Sequence, residues 1–252
     1  MTGSRLRALG PVLAALVTFL AAWQLAVVIG GLQPSILPPP LRVAERFVQA
    51  LADGTIQPHL GTTLTEIAWG FGVGAVLALI VGYGMARSPI AERLVSPYIV
   101  AAQAVPVLAL APLLTIWFGT GLLSKVVICA LIVFFPIAVA TMVGIRSVDA
   151  RLLELGRSLR ASRRQVLSTI EIPAALPSIF GGIRVGVTLS VIGAIVGEWS
   201  APNHGLGVLM LEARGALFDI PLMFATLLTI ALVGIGLYLT VVLVERRLVG
   251  AR

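Results

Sequence analysis

Apolar residues fall in long, nearly unbroken runs rather than in the short periodic patterns of a water-soluble fold. Six runs stand out, near residues 9–30, 61–86, 96–118, 122–145, 176–197 and 222–244. Each reaches the roughly 20 residues that a helix rising ~1.5 Å per residue needs to cross a ~30 Å hydrocarbon core. The pattern predicts an all-α polytopic membrane protein with six transmembrane helices, built as a single domain over residues 1–252. The first run follows Arg5 and Arg7, as a signal peptide would. It is longer than the ~7–15 residues of a signal-peptide core and more spans follow, so it reads as a retained anchor.

The polar stretches between the runs differ in kind. Residues 31–60 hold Pro34 and the run Pro38-Pro39-Pro40, which no helix continues through. Beyond them Val43, Phe47, Val48 and Leu51 share one helical face, with Glu45, Arg46, Gln49 and Asp53 elsewhere, the pattern of a short interfacial helix. Residues 198–221 contain Gly205, Gly207 and an apolar stretch at Val208–Leu211 too short to span, which reads as a surface or partly re-entrant element. Either segment suits contact with an extracytoplasmic partner or a simple lid on the span ends.

The segment 146–175 is the most polar and reads as two short helices. Asp149 is placed to cap the first, with Leu152, Leu153, Leu155 and Leu159 as its apolar positions. Ser162 and Gln165 have capping-box spacing, so a second helix should start at Arg163 and use Val166, Leu167 and Ile170. Pro173 should end it. A tight connection between two spans needs only a few residues, so a capped amphipathic pair predicts a docking surface; a solvated basic loop is the plainer alternative.

Composition narrows the class. Hydrophobic residues make up 58% of the chain and charged residues 12%, about half of what a soluble domain carries, which excludes a soluble enzyme, a disordered chain and a disulfide scaffold. A net charge of +7 could indicate nucleic-acid binding, so position decides. With the N-terminus inside, fourteen of the eighteen basic residues face inward, and only Arg42, Arg46, Lys125 and Arg214 lie outside. Six spans then put both termini in the cytoplasm, as the positive-inside rule requires. The charge is a topology signal, and no nucleic-acid partner is implied. Cys129, His59 and His204 are too few and too scattered for a metal site. No P-loop is present, because Lys125 is the only lysine and follows Ser124. An energy source must be a partner chain or an ion gradient. A gradient would need ionisable groups deep in the spans, where Glu66 is the candidate. Its preferred reading is an interfacial carboxylate among Thr62, Thr63 and Thr65, while Lys125 and Arg184 are placed to snorkel.

Packing signals complete the residue-level reading. Gly182, Gly186, Gly193 and Gly197 fall in one stripe of the fifth span, and Gly70 and Gly74 repeat the pattern in the second, so other helices can approach closely. Pro97, Pro106 and Pro112 in the third span and Pro136 in the fourth free backbone carbonyls at membrane depth, which is tolerated against protein or a water-filled cavity. A translocation path among the third to fifth spans follows, with Gln103 and Thr115 as its polar candidates. Proline kinks without such a role remain the alternative.

Within residues 154–173 the sequence resembles the inner-membrane permease subunits of binding-protein-dependent ABC importers. Their signature is E-A-A, three residues, Gly, nine residues, then I-x-L-P. Glu154-Leu155-Gly156 takes the first part and Ile170-Glu171-Ile172-Pro173 the last. Leu155 and Gly156 replace the two alanines, Ile172 replaces leucine, and Arg160 sits where glycine would permit a left-handed turn, so either a strained residue or a different linker geometry is expected there. The resemblance extends along nearly the whole chain. Gln103-Ala104-Val105-Pro106, Ala111-Pro112-Leu113, Trp117-Phe118-Gly119, Phe134-Phe135-Pro136 and Gly197-Glu198-Trp199 are similar to the nitrate/sulfonate/taurine-type subgroup. Val196-Gly197-Glu198-Trp199 is similar to permeases for vitamin precursors such as hydroxymethylpyrimidine or riboflavin.

That resemblance implies a type I ABC importer permease fold and no enzymatic activity. It implies ATPase coupling through Glu154, Leu155, Gly156, Arg157, Leu159, Arg160, Ala161, Ser162, Gln165, Ile170 and Pro173. It implies a dimer in a cell membrane, with a second copy of itself or with a close relative, two ATPase subunits that carry ATP and Mg on themselves, and an external solute-binding protein. No cofactor is expected on this chain. Pro106, Pro112, Pro136 and Glu198 join Gln103 and Thr115 as expected path residues. The competing functional classes are an ion-coupled secondary transporter acting alone and a membrane scaffold.

Overall fold

The computed structural model describes residues 2–250, without the side chains of residues 2–9, 12 and 157. The side chains of Arg5, Arg7 and Arg157, and all of Arg252, therefore lie outside the described residues. The chain is helical: α1 (Thr2–Ile29), α2 (Pro40–Ala52), α3 (Ile56–Arg87), α4 (Pro89–Ala104), α5 (Val107–Phe118), α6 (Leu122–Arg146), α7 (Ala150–Ser158), α8 (Arg163–Val166), α9 (Ile172–Ser200), α10 (Leu206–Arg214) and α11 (Ile220–Val249). Among the described residues no strand occurs, as expected where every backbone polar group must be satisfied within its own segment.

Four stretches are long and apolar enough to cross a membrane: α3, α6, α11 and the continuous run Arg163–Ser200. The run expected at 9–30 lies in α1, which holds a shorter apolar helix at Leu13–Ile29. The run expected at 96–118 is not one straight helix. It breaks at Val105 and Pro106 into α4 and α5, whose axes differ by 100°. Proline drives the residue before it out of the helical region, and Val105 adopts φ −88°, ψ 122°. Ser88 caps α4, its hydroxyl accepting from the Ala91 N–H at 3.2 Å, and Pro89 supplies the preset first residue.

Pro173 was expected to end the second helix of segment 146–175, and it does not. The backbone widens into a π-helical turn at Leu167–Glu171, where the Ile172 N–H reaches the Leu167 carbonyl five residues back. Pro173 then occupies the first turn of α9, where a missing N–H costs nothing. A π-turn is the local device that lets a proline-bearing sequence run on as one helix.

Two compact units form: Met1–Pro58 with Leu209–Thr229, and His59–Val208 with Ile230–Arg252. In the first, Pro40 starts α2, which buries Val43 and Ala50 and leaves Val48 and Leu51 exposed. The apolar face expected there is thus split. Arg46 donates to Asp219 at 2.7 Å and lies 3.6 Å from Asp53. Asp219 in turn accepts from the Leu222 N–H at the start of α11. The hydroxyl and N–H of Thr55 hold the Asp53 carboxyl below the usual carboxylate range. The rings of Trp23 and Phe224 pack 5.7 Å apart.

In the second unit α6 is packed between α3 and α9. Cys129, Val133, Ile137 and Ala138 of α6 form its core with Ala78 and Met85 of α3. The glycines make this possible: a Cβ at Gly193 would lie 2.7 Å from the Cys129 Cα, and one at Gly74 would lie 2.7 Å from the Ala130 carbonyl. Both stripes read from the sequence are helix contacts with α6. Ile67, Val191 and Ala194 pack with Ile230, Val233 and Leu237 of α11.

Candidate coupling surface and translocation cavity

At the end of this unit where α3 and α6 finish and α9 begins, the capped helix pair takes the form its spacing predicts. Asp149 Oδ1 accepts from the Arg151 N–H at 2.8 Å and opens α7. Ser162 and Gln165 make the full capping box of α8: the Gln165 N–H donates to Ser162 Oγ, and the Ser162 N–H to Gln165 Oε1. Between the helices Arg160 has φ +54°, and the Ala161 N–H closes back on the Gly156 carbonyl at 2.9 Å. This is a Schellman ending with arginine in the left-handed position that glycine favours. Of the two geometries open to Arg160, the strained residue is the one adopted. A left-handed non-glycine residue costs roughly 1–2 kcal/mol. Arg160→Gly should therefore slow amide exchange at the turn by about tenfold, and Ser162→Ala, at a cost of about 1 kcal/mol, should speed it within α8.

Helix α7 has two apolar faces. Gly156 is buried, with Val166 and Ile170 3.2–3.3 Å from where its Cβ would stand, so α7 lies directly on the start of the long helix. On the other face Leu152, Leu155 and Leu159 are 44%, 55% and 73% exposed, an apolar stripe in a polar segment. Glu154, Arg160, Ser162, Gln165 and Pro173 are exposed around it, while Ala161 and Ile170 are half-buried. Ion pairs fasten this region to the bundle. Arg146 holds Glu92 through both guanidinium nitrogens at 2.7 and 2.8 Å and donates to the Met85 carbonyl. Arg87 pairs with buried Glu171 at 2.8 Å. Sequence reading missed both pairs, since their members lie in separate elements.

Three of the six expected path residues meet. Gln103, Pro106 and Pro136 line one cavity of about 540 Å³ with Val105, Ile132 and Phe135, at the bend between α4 and α5. Thr115 and Pro112 do not line it, and the Thr115 hydroxyl donates to the Ala111 carbonyl of its own helix. Glu198 stands apart and is wholly buried. Its carboxylate accepts from the Thr63 hydroxyl and the Gly207 N–H, each at 2.5 Å. The Leu206 N–H donates to Thr63 Oγ1, so Glu198 and Thr63 together cap the start of α10.

Beside Glu198 lies a pair the sequence reading took for interfacial groups. Lys125 and Glu66 are 3% and 1% exposed, and their Nζ and Oε1 are 2.7 Å apart. Lys125 also donates to the His204 carbonyl at 3.3 Å. Neither side chain reaches the surface, because α6 is covered by α3 and α9 at this level. The signal was present in the chain: its only lysine and a carboxylate sit near the same ends of the second and fourth apolar runs.

Residues 56–250 match the family described as binding-protein-dependent transport system inner membrane component, and the chain belongs to it. It is therefore a permease subunit of an ABC importer, a multi-pass membrane protein and not an enzyme. Among its relatives, a riboflavin transport system permease protein of Chloroflexus aurantiacus is 45% identical, covering 93% of this chain and 87% of the relative. A formylaminopyrimidine transport permease protein of Halalkalibacterium halodurans is 37% identical over 84% of each. A taurine transport system permease protein of Escherichia coli is 32% identical over 92% of this chain and 86% of its own. In fold, the chain is similar to inward-facing conformations of the MetNI methionine ABC transporter, with TM-score 0.61 at 17% identity, covering 78% of this chain and 94% of that one. An amino acid ABC transporter follows at 0.56 and 21%, covering 82% and 96%.

Proposed function

We propose that this permease works as a homodimer, with an ATPase subunit docked on each copy of segment 146–175. The observation that carries this reading is the exposed Leu152, Leu155 and Leu159 stripe on a helix held against α8 and the π-turn that lead into α9. An apolar ridge framed by Glu154 and Arg160 suits insertion into a cleft of a soluble partner. Because α8 runs through the π-turn into α9, a push on the ridge moves a membrane-length helix as one piece. ATP and Mg reside on the partner. The chain crosses the membrane six times with both termini in the cytoplasm, which places the ridge inside and the Glu198 and Lys125 network outside. An external binding protein delivers the solute, and the cavity at Gln103, Pro106 and Pro136 lies on its path. The solute is a small polar vitamin or vitamin precursor of the riboflavin or pyrimidine class, in keeping with the two relatives named for such substrates.

Proteoliposomes test this reading. With the ATPase, the binding protein and internal ATP, they should accumulate riboflavin or hydroxymethylpyrimidine. Without the ATPase they should take up neither. Uptake driven by an ion gradient alone would contradict the proposal.

A further inference from the structure

A second cavity, of about 730 Å³, opens beside the coupling segment and is lined by Tyr83, Arg87, Leu153, Arg163, Arg164 and Glu171. Its cations are unevenly committed. Arg87 is pinned by Glu171 Oε1, by the Tyr83 hydroxyl at 3.1 Å and by the Tyr83 ring. Arg163 and Arg164 have no ion pair among the described residues. Glu171 is 2% exposed, and its Oε2 accepts from no donor among the described residues. The lining therefore offers two uncommitted guanidiniums and one buried acceptor, with a net positive charge. An apolar groove of about 470 Å³ adjoins it, lined by Leu79, Ile80, Ile145, Leu176, Ile179 and Phe180. Tyr83 and Leu167 line both, so the charged cavity and the groove share a boundary where the spans meet the polar segment.

We infer that this composite site holds an acidic phospholipid with a hydroxylated headgroup. The phosphate lies against Arg163 and Arg164, a headgroup hydroxyl donates to Glu171 Oε2, and an acyl chain follows the groove between α3 and α9. A soluble anion would have no use for the groove, and an uncharged lipid none for the guanidiniums. Basic pockets at the cytoplasmic ends of membrane helices take anionic headgroups by this logic. The inference rests on residence in a membrane and not on the ATPase-docking reading. It makes the lipid a wedge between α3 and the start of the long helix.

Native mass spectrometry of the full chain tests it, after incubation with phosphatidylglycerol and acyl-matched phosphatidylcholine in equal amounts. The expected result is one phosphatidylglycerol retained per chain in preference to phosphatidylcholine. The R163Q/R164Q variant should weaken retention by about 30-fold, the effect of two surface cations on an anionic headgroup. R42Q/R214Q, which removes the same charge from α2 and α10, should leave it unchanged. Glycerophosphoglycerol and inorganic phosphate should not displace the lipid. Equal retention of both lipids, equal loss in the two double variants, or displacement by either soluble phosphate overturns the inference. All of these hold whether or not an ATPase docks on α7.

Discussion

Lys125→Met should destabilise the protein by about 3–5 kcal/mol, because it strands Glu66 inside the bundle without the ammonium that pairs with it. For a chain of this size that is a fall of roughly 6–20 °C in apparent Tm. The cost comes from the uncompensated buried charge rather than from the lost contact. The Glu66→Gln/Lys125→Met double variant should therefore recover most of it, since an apolar or neutral pair of similar volume is often no worse than an ion pair. A double variant as unstable as the single one would show that packing, not charge, makes Lys125 indispensable. The network also carries Glu198, which caps the first turn of α10 with Thr63. The single variant should accordingly loosen residues 198–208 first, visible as amide exchange in that segment.

The second large effect is functional. Leu159 is 73% exposed, so Leu159→Asp costs the fold little. In a docked complex it removes an apolar contact worth about 1.5–3 kcal/mol and places a charge in the interface. Glu154→Lys reverses a charge on the same helix. Each variant should insert and purify as the wild type does, while ATP-driven uptake falls more than tenfold and ATP hydrolysis by the complex persists. That combination separates coupling from assembly and from folding. Normal uptake in both variants would remove α7 from the coupling surface.

The helical class and most helix positions were legible because membrane solvent imposes a length and a polarity on every span. The capping box at Ser162 was equally legible, since it depends on residues three apart. What escaped was set by tertiary geometry. Pro106 advertised a break, but not that α4 and α5 would turn through 100°. Pro173 advertised a stop, yet a five-residue π-turn ending two residues before it let the helix run on. Arg160 posed two options and the fold chose strain, because the Schellman turn that seats α7 on Ile170 needs a left-handed residue there. Glu66 and Lys125 were misjudged singly, each plausible at a membrane surface. Only the covering of α6 on both sides makes them a buried pair.

The coupling surface is tested most directly by a photocrosslinker. A benzophenone attached to Ser162→Cys in a Cys129→Ser background should form a covalent adduct with the ATPase subunit in the assembled importer, with a yield that changes when ATP is added. The same probe at His204→Cys should not reach that subunit. Absence of the adduct at Ser162→Cys, in a complex that still transports with ATP, would contradict the account.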